Sequence, residues 1–219
     1  MRIKYITNVR IPTGRAYGYA IMKMCSEFAK TGLETELIVP SKSNNDNKED
    51  PFDFYSLERN FQINRINSFD LLGKTLNFGG IFYWMDIISF FIMTKLKIKI
   101  LPSDVVYTRD FTTSFFFNRK IFICLELHSI PKSKFLFKKA IKKIKLFVVL
   151  TDNIKNALIS LGVPNNSILI SPSGVDLNEY DVIPNDFEIE GINKNDFVYG
   201  YIGTLKTMGM EKGVKIGLE

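Results

Sequence analysis

The sequence predicts an α/β fold, a doubly wound parallel sheet with helices on both faces. Three observations carry this expectation. Short apolar, β-branched runs recur along the chain. Most are separated by stretches with helical spacing, which is the alternation of βαβ units. Several runs, within "TELIVP", "DVVYTRD" and "LFVVLTD", are apolar almost throughout instead of at every second position, as befits strands covered on both faces. With 219 residues, 46% hydrophobic and 24% charged, the chain can bury the core of one large or two small domains.

In chain order, "RIKYITNV" (2–9) is the first strand and ends at the turn residues of "RIPTGR". Helical spacing runs from about Arg15 to Lys30, with Ala20, Met24, Phe28 and Ala29 near one stripe. Gly32 stands where a helix C-terminus takes a left-handed residue. "TELIVP" (35–40) is the second strand, 41–58 a polar loop, "FQINRI" (61–66) a third strand and 79–97 a helix. Inside that helix, the apolar run 78–93 is interrupted by Asp86 and is shorter than the ~20 residues a bilayer span requires, so a buried helix is expected. Strands follow at 104–110, 121–129, 146–152 and 167–174, with helices at 112–119, 132–145 and 153–161.

"SPSGVDLNEYD" (171–181) holds turn residues at Pro172, Gly174 and Asp176 and redirects the chain. The expected organisation is a first domain over 1–174, an acidic, irregular linker over 175–196, and the first strand ("FVYGYIGTL", 197–205) and starting helix of a second domain up to 219.

The two cysteines, Cys25 and Cys124, lie in apolar segments and are expected to be buried free thiols in a reducing compartment; with one histidine in the chain, no metal cluster is expected. The N-terminus has no signal-peptide pattern, and a cytoplasmic location is expected. The net charge of +6 is local: residues 132–145 carry seven lysines and no acid, and without them the balance would be −1. Read as one amphipathic helix, this stretch sets Phe137, Ile141, Ile144 and Val148, at helical spacing, against Lys138, Lys139, Lys142 and Lys145. It is either a sheet-packing helix with a solvated face or a contact for an anionic membrane surface. No nucleic-acid-binding signature accompanies it.

Ligands of open parallel sheets bind at the carboxyl ends of the strands. That rule selects Gly14 and Arg15 after the first strand, Arg109 and Asp110 after the fourth, His128 after the fifth, and Thr151 after the sixth. Each has a structural alternative: a turn glycine, a surface ion pair, a satisfied histidine, a helix cap. "TGRAYG" lacks G-x-G-x-x-G, and Pro40 and Ser41 stand where a ribose-binding acid belongs, which argues against a dinucleotide site and against a sugar epimerase.

"PSGVDLNEY" resembles the P-x-G-V-D-x-x-x-[FY] segment at the domain junction of retaining GT-B-fold glycosyltransferases (group 1, family 4-like). "IFICLELHS" is similar to that family's strand ending in histidine, and "VVLTDNIKNALISLGVPNNSILISPSGVD" to its strand–helix–Gly-Val–strand run. "FVYGYIGTLKTMGMEKGV" is similar to the opening of its C-terminal domain. The resemblance implies two Rossmann-like domains, the first holding a glycan or lipid-linked acceptor and the second a nucleotide-sugar donor, with no cofactor. It implies that His128 contacts the donor sugar as the catalytic-site histidine, that Gly14 and Arg15 form the loop near the donor, and that Gly203, Lys206 and Lys212 belong to the donor site, Lys212 neutralising the diphosphate. Arg109, Asp110 and Thr151 fall on the acceptor side. The chain departs from the pattern in having one glycine in the first loop, Ser173 in place of Asn or Asp, and Lys206 near Thr204 where an arginine is usual. The family's second domain needs about 150 more residues, so these 219 residues alone are expected to transfer little or no sugar. The alternative is a non-catalytic, glycosyltransferase-like binding module at a membrane surface.

Overall fold

The computed structural model describes residues 1–41, 49–69, 79–177, 191–193, 196–198, 200–201, 203, 206–207 and 210–211. The chain divides into two units, Met1–Ser173 and Gly174–Glu219. The first is built on seven strands: β1 (Arg2–Ile6), β2 (Glu34–Pro40), β3 (Gln62–Ile66), β4 (Asp104–Thr108), β5 (Phe122–Leu127), β6 (Leu146–Val149) and β7 (Ile168–Ile170). They pair in parallel in the order β3-β2-β1-β4-β5-β6-β7. The order reverses between β1 and β4, the switch point beside which the two halves of a doubly wound sheet part.

Among the described residues, six α-helices connect them: α1 (Ala16–Lys30), α2 (Pro51–Phe54), α3 (Gly79–Lys97), α4 (Thr113–Phe116), α5 (Lys134–Ala140) and α6 (Asp152–Ser160). One face of the sheet packs Tyr5, Leu37, Val39 and Tyr107 against Ile21, Met22 and Cys25 of α1 and Phe52 of α2. The other packs Ile6, Ile38, Val106, Leu125 and Phe147 against Ile87, Phe90 and Phe91 of α3, Phe137 of α5 and Leu158 of α6. Such large side chains contribute about 2 kcal/mol each when fully buried. Phe91 of α3 stacks on Phe116 of α4 at 4.6 Å, and Phe111, just before α4, meets Phe115 of α4 and Phe137 of α5 edge-on at 6.5 and 5.6 Å, so aromatic contacts run from α3 through α4 to α5.

Several expectations are refined. The buried stripe of α1 runs through Gly18, Ile21, Met22, Cys25 and Ser26, while Ala20, Met24, Phe28 and Ala29 flank it half-buried. Gly32 takes the left-handed conformation at φ 82° that ends α1. The polar loop contains α2, capped by the Asp50 carboxylate accepting from the Phe52 amide. The lysine-rich helix is half the expected length, ending at Ala140. The chain must then return to the sheet: the Lys145 amide already donates to the Ile123 carbonyl, and β6 starts at Leu146. In the second unit, none of the described residues of 197–205 is in a strand, and no helix starts at 206; instead Lys206–Thr207 and Met210–Glu211 pair antiparallel as β8 and β9. Residues 178–190 and 194–195 of the expected linker, and the end from 212, lie outside the described residues. Cys25 and Cys124 are free and buried.

Lys4 on β1 and Glu36 on β2 are register partners, and their side chains form an ion pair, with Asn64 of β3 donating to the same carboxylate. Removing one partner of such a pair strands the other charge in the sheet. Glu36→Ala is expected to lower unfolding free energy by about 3 kcal/mol in urea titrations. Pairing it with Lys4→Met should recover most of that loss.

Candidate active site at the carboxyl ends of the strands

The loop after β1 carries Gly14 and Arg15 and is pinned from three directions. The Thr7 amide donates to the Ile38 carbonyl, and Arg65 of β3 donates to the Ile11 carbonyl at 2.9 Å. The Tyr55 hydroxyl accepts from the Thr13 amide and donates to the Thr13 carbonyl, both at 2.8 Å. That clamp passes over Gly18, where a Cβ would stand 2.3 Å from the Tyr55 oxygen and 2.6 Å from the Thr13 methyl; glycine is there because nothing larger fits. Gly14 has open space around it and Arg15, exposed, occupies the N-cap of α1 with no side-chain cap and no acid in the first turn. The start of α1 therefore presents amide N–H groups and a cation together, the arrangement that receives anions.

At the ends of the neighbouring strands stands a cluster organised by Glu126, the fifth residue of β5. It is 4% exposed. The Arg109 Nη2 donates to Oε1 at 2.7 Å, the Tyr107 hydroxyl donates to Oε2 at 2.8 Å, and His128 Nε2 lies 2.6 Å from Oε1. Burial works against the Glu126 charge, but the hydrogen bond and charge of Arg109, with the bonds to His128 and Tyr107, outweigh it and hold the carboxyl below its usual range. Burial likewise opposes the Arg109 charge, and Tyr5 and Glu126 reverse the balance, so the guanidinium stays above its ordinary value. Burial, reinforced by Glu126, pushes the Tyr107 hydroxyl well above the tyrosine range and the Cys124 thiol up to about 12. The Tyr5 hydroxyl and Arg109 Nε are buried with no hydrogen-bond partner among the described residues.

Because Glu126 is ionised, His128 Nε2 carries the proton shared with it. A neutral ring then has Nδ1 as its acceptor, and the side chain is 45% exposed. Arg109, whose side chain is 20% exposed, is the cation beside it.

The sequence-selected residues thus separate. Arg109 and His128 are brought together around Glu126, a residue outside the candidates chosen from sequence. The signal was present: an acid inside the apolar run "FICLEL", two positions before His128 and so on the same strand face. Arg109 and Asp110 do not pair with each other. Asp110 turns back to accept from the Thr112 amide at 2.8 Å and hydroxyl at 2.7 Å, and burial, partly offset by those bonds, raises its carboxyl. Thr151 accepts from the Ile154 amide as the N-cap of α6. Gly203 and Lys206 belong to the second unit, Lys206 opposite Glu211; Lys212 lies outside the described residues. Lys138, Lys139, Lys142 and Lys145 line a groove that opens where β6 and β7 begin, at the other end of the sheet from this cluster.

No family model matches the chain, and no curated protein matches it in sequence. Solved structures do. WaaB, a lipopolysaccharide outer core galactosyltransferase in its apo form, is similar over 80% of this chain and 46% of its own, with a TM-score of 0.50 and 13% identity. The N-terminal domain of Candida albicans trehalose-6-phosphate phosphatase is similar over 84% of this chain and 51% of its own, with a TM-score of 0.51 and 14% identity. Anabaena HepE in complex with UDP and glucose aligns over 82% of this chain and 46% of its own, at TM-score 0.48 and 10% identity. The chain spans about half the length of the structures it matches. What the likenesses to WaaB and to the phosphatase domain establish is the fold: a Rossmann-like parallel α/β sheet of the GT-B kind.

The depressed carboxyl of Glu126 has a consequence for stability. Its contribution is fully present above the ordinary carboxylate range and is lost as pH falls through the depressed value. Glu126→Gln is expected to unfold about 3 kcal/mol more easily at neutral pH. In urea titrations across the acid range, the gap from the parent should close as pH drops; a gap that widens on acidification contradicts the assignment.

Proposed function

We propose that this protein is a retaining glycosyltransferase that moves a sugar from a nucleotide-sugar donor to a glycan or lipid-linked acceptor, and that the Met1–Ser173 unit supplies the acceptor side of its cleft. The observation that carries this reading is the Glu126 cluster. It holds an exposed histidine and a cation at the carboxyl ends of β4 and β5, beside the switch point where doubly wound sheets take their ligands. The resemblance of "PSGVDLNEY" to the domain junction of GT-B transferases supports it, and so does the likeness in fold to WaaB, a galactosyltransferase.

In this reading the His128 ring accepts from a hydroxyl of the transferred sugar and orients it. Gly14 and Arg15 at the start of α1 face the negatively charged part of the donor. Gly203, Lys206 and Lys212 act from the second unit, where a cation stabilises charge developing on the departing diphosphate oxygen. Arg109 and Asp110 shape the acceptor side, Asp110 through the turn it caps.

The test is release of nucleoside diphosphate by the full-length protein across a panel of nucleotide sugars, followed by determination of the product's anomeric configuration. His128→Ala is expected to lower kcat on the order of a hundredfold without a matching loss of stability. Turnover unchanged in that variant, or an inverted product, contradicts the reading.

A further inference from the structure

A groove of 730 Å³ opens where β6 and β7 begin, at the end of the sheet opposite the Glu126 cluster. α5 and the turn after it form one side, and the connection from α6 to β7 forms the other through Leu161, Val163 and Pro164. Ile144 and Phe147, both buried, close the bottom. Cavities between about 300 and 1,000 Å³ are those that take small organic ligands.

Lys138, Lys139, Lys142 and Lys145 stand along the first side, all exposed. The segments that build the two sides, 127–151 and 153–175, contain no acid. Among the described residues none of the four lysines has an acidic partner. Like charges this close repel one another, and along a concave, low-dielectric wall their fields add and concentrate anions. The neighbouring lysines differ. Lys143 turns away to donate to the Phe117 carbonyl at 3.5 Å, and Lys132 and Lys134, exposed, are not part of the groove.

This distribution of charge narrows the ligand. One phosphate is too small to meet ammonium groups spread over residues 138–145, whereas a short chain of phosphates meets several at once. The rest of the surface is apolar, with Ile141, Leu161 and Val163 in the groove. Phe135 also lines it and is 69% exposed, with the Lys139 ammonium 4.4 Å from its ring centroid. An exposed aromatic ring is a stacking partner for a planar base. A concave site favours a molecule small enough to enter it, which a flat surface is not.

We infer that this groove binds a nucleoside polyphosphate, its phosphates against Lys138, Lys142 and Lys145 and its base against Phe135 and the apolar side. The groove and the Glu126 cluster lie at opposite ends of the sheet, so the inference does not depend on the transferase reading.

The experiment is titration calorimetry of the full chain with ATP, inorganic tripolyphosphate and orthophosphate. ATP is expected to bind, tripolyphosphate to bind more weakly and orthophosphate not to bind measurably, with the ATP affinity falling as salt rises. Replacing Lys138, Lys142 and Lys145 together with Gln should weaken ATP binding about thirtyfold, roughly threefold per lysine. A charge-matched control, Lys132→Gln with Lys134→Gln and Lys143→Gln, should stay within about twofold of the parent. Phe135→Ala, at an exposed position, should bring ATP down to the affinity of tripolyphosphate. Four results overturn the inference: a control set that loses as much as the groove set, ATP binding that survives the groove changes, orthophosphate binding as tight as ATP, or a single-stranded oligonucleotide that binds more tightly than ATP through the same lysines.

Discussion

Parallel strands can be joined only by connections that leave the sheet and return over one of its faces, and the right-handed twist of the strands sets which face. The rest of this structure follows from that constraint. Moving from β1 outward through β2 to β3 places α1 and α2 on one side. Moving the other way, through β4 to β7, places α3 to α6 on the opposite side. Where the direction changes, between β1 and β4, the connections diverge to opposite faces. The loop with Gly14 and the turn with Arg109 are left side by side at the strands' carboxyl ends, where such sheets take their ligands.

Into that space the chain sets a carboxylate that could not be buried alone. Taking Glu126 out of water is costly unless donors replace the water, and here three side chains from two strands do so. Each donor is thereby fixed. Tyr107 is anchored at its hydroxyl end, Arg109 is drawn inward instead of out to solvent, and His128 is held at one ring nitrogen while its side chain stays half exposed. A desolvation requirement in the strand becomes an orientation of the groups at the strands' carboxyl ends.

The architecture was legible in the sequence because period and punctuation agreed: all seven strands of the sheet and its long helices stand near where apolar runs and turn residues place them. Local pattern failed where a tertiary demand overrode it. Helical spacing continues past Ala140 through Ile144, but the need to enter β6 beside β5 ends α5 early. "FVYGYIGTL" has strand composition, yet the ladder of the second unit forms further on, at Lys206–Thr207. Strand-end position selected His128 and Arg109, while Asp110 and Thr151, chosen by the same rule, carry turn and cap bonds. Glu126 was missed because position alone favours residues beyond a strand, whereas the organising residue sits inside one.

The Tyr55 clamp over the first loop reaches beyond this molecule to the history of its sequence. Tyr55 is far from Thr13 and Gly18 in the chain, yet a side chain at 18 collides with both of the others. The three positions cannot drift independently. A lineage that gains a Cβ at 18 must already have lost the tyrosine hydroxyl and trimmed residue 13, giving up both of the bonds Tyr55 makes to the loop. Across homologues these sites should change as a set, and a glycine at 18 should mark the sequences that keep an aromatic hydroxyl at 55.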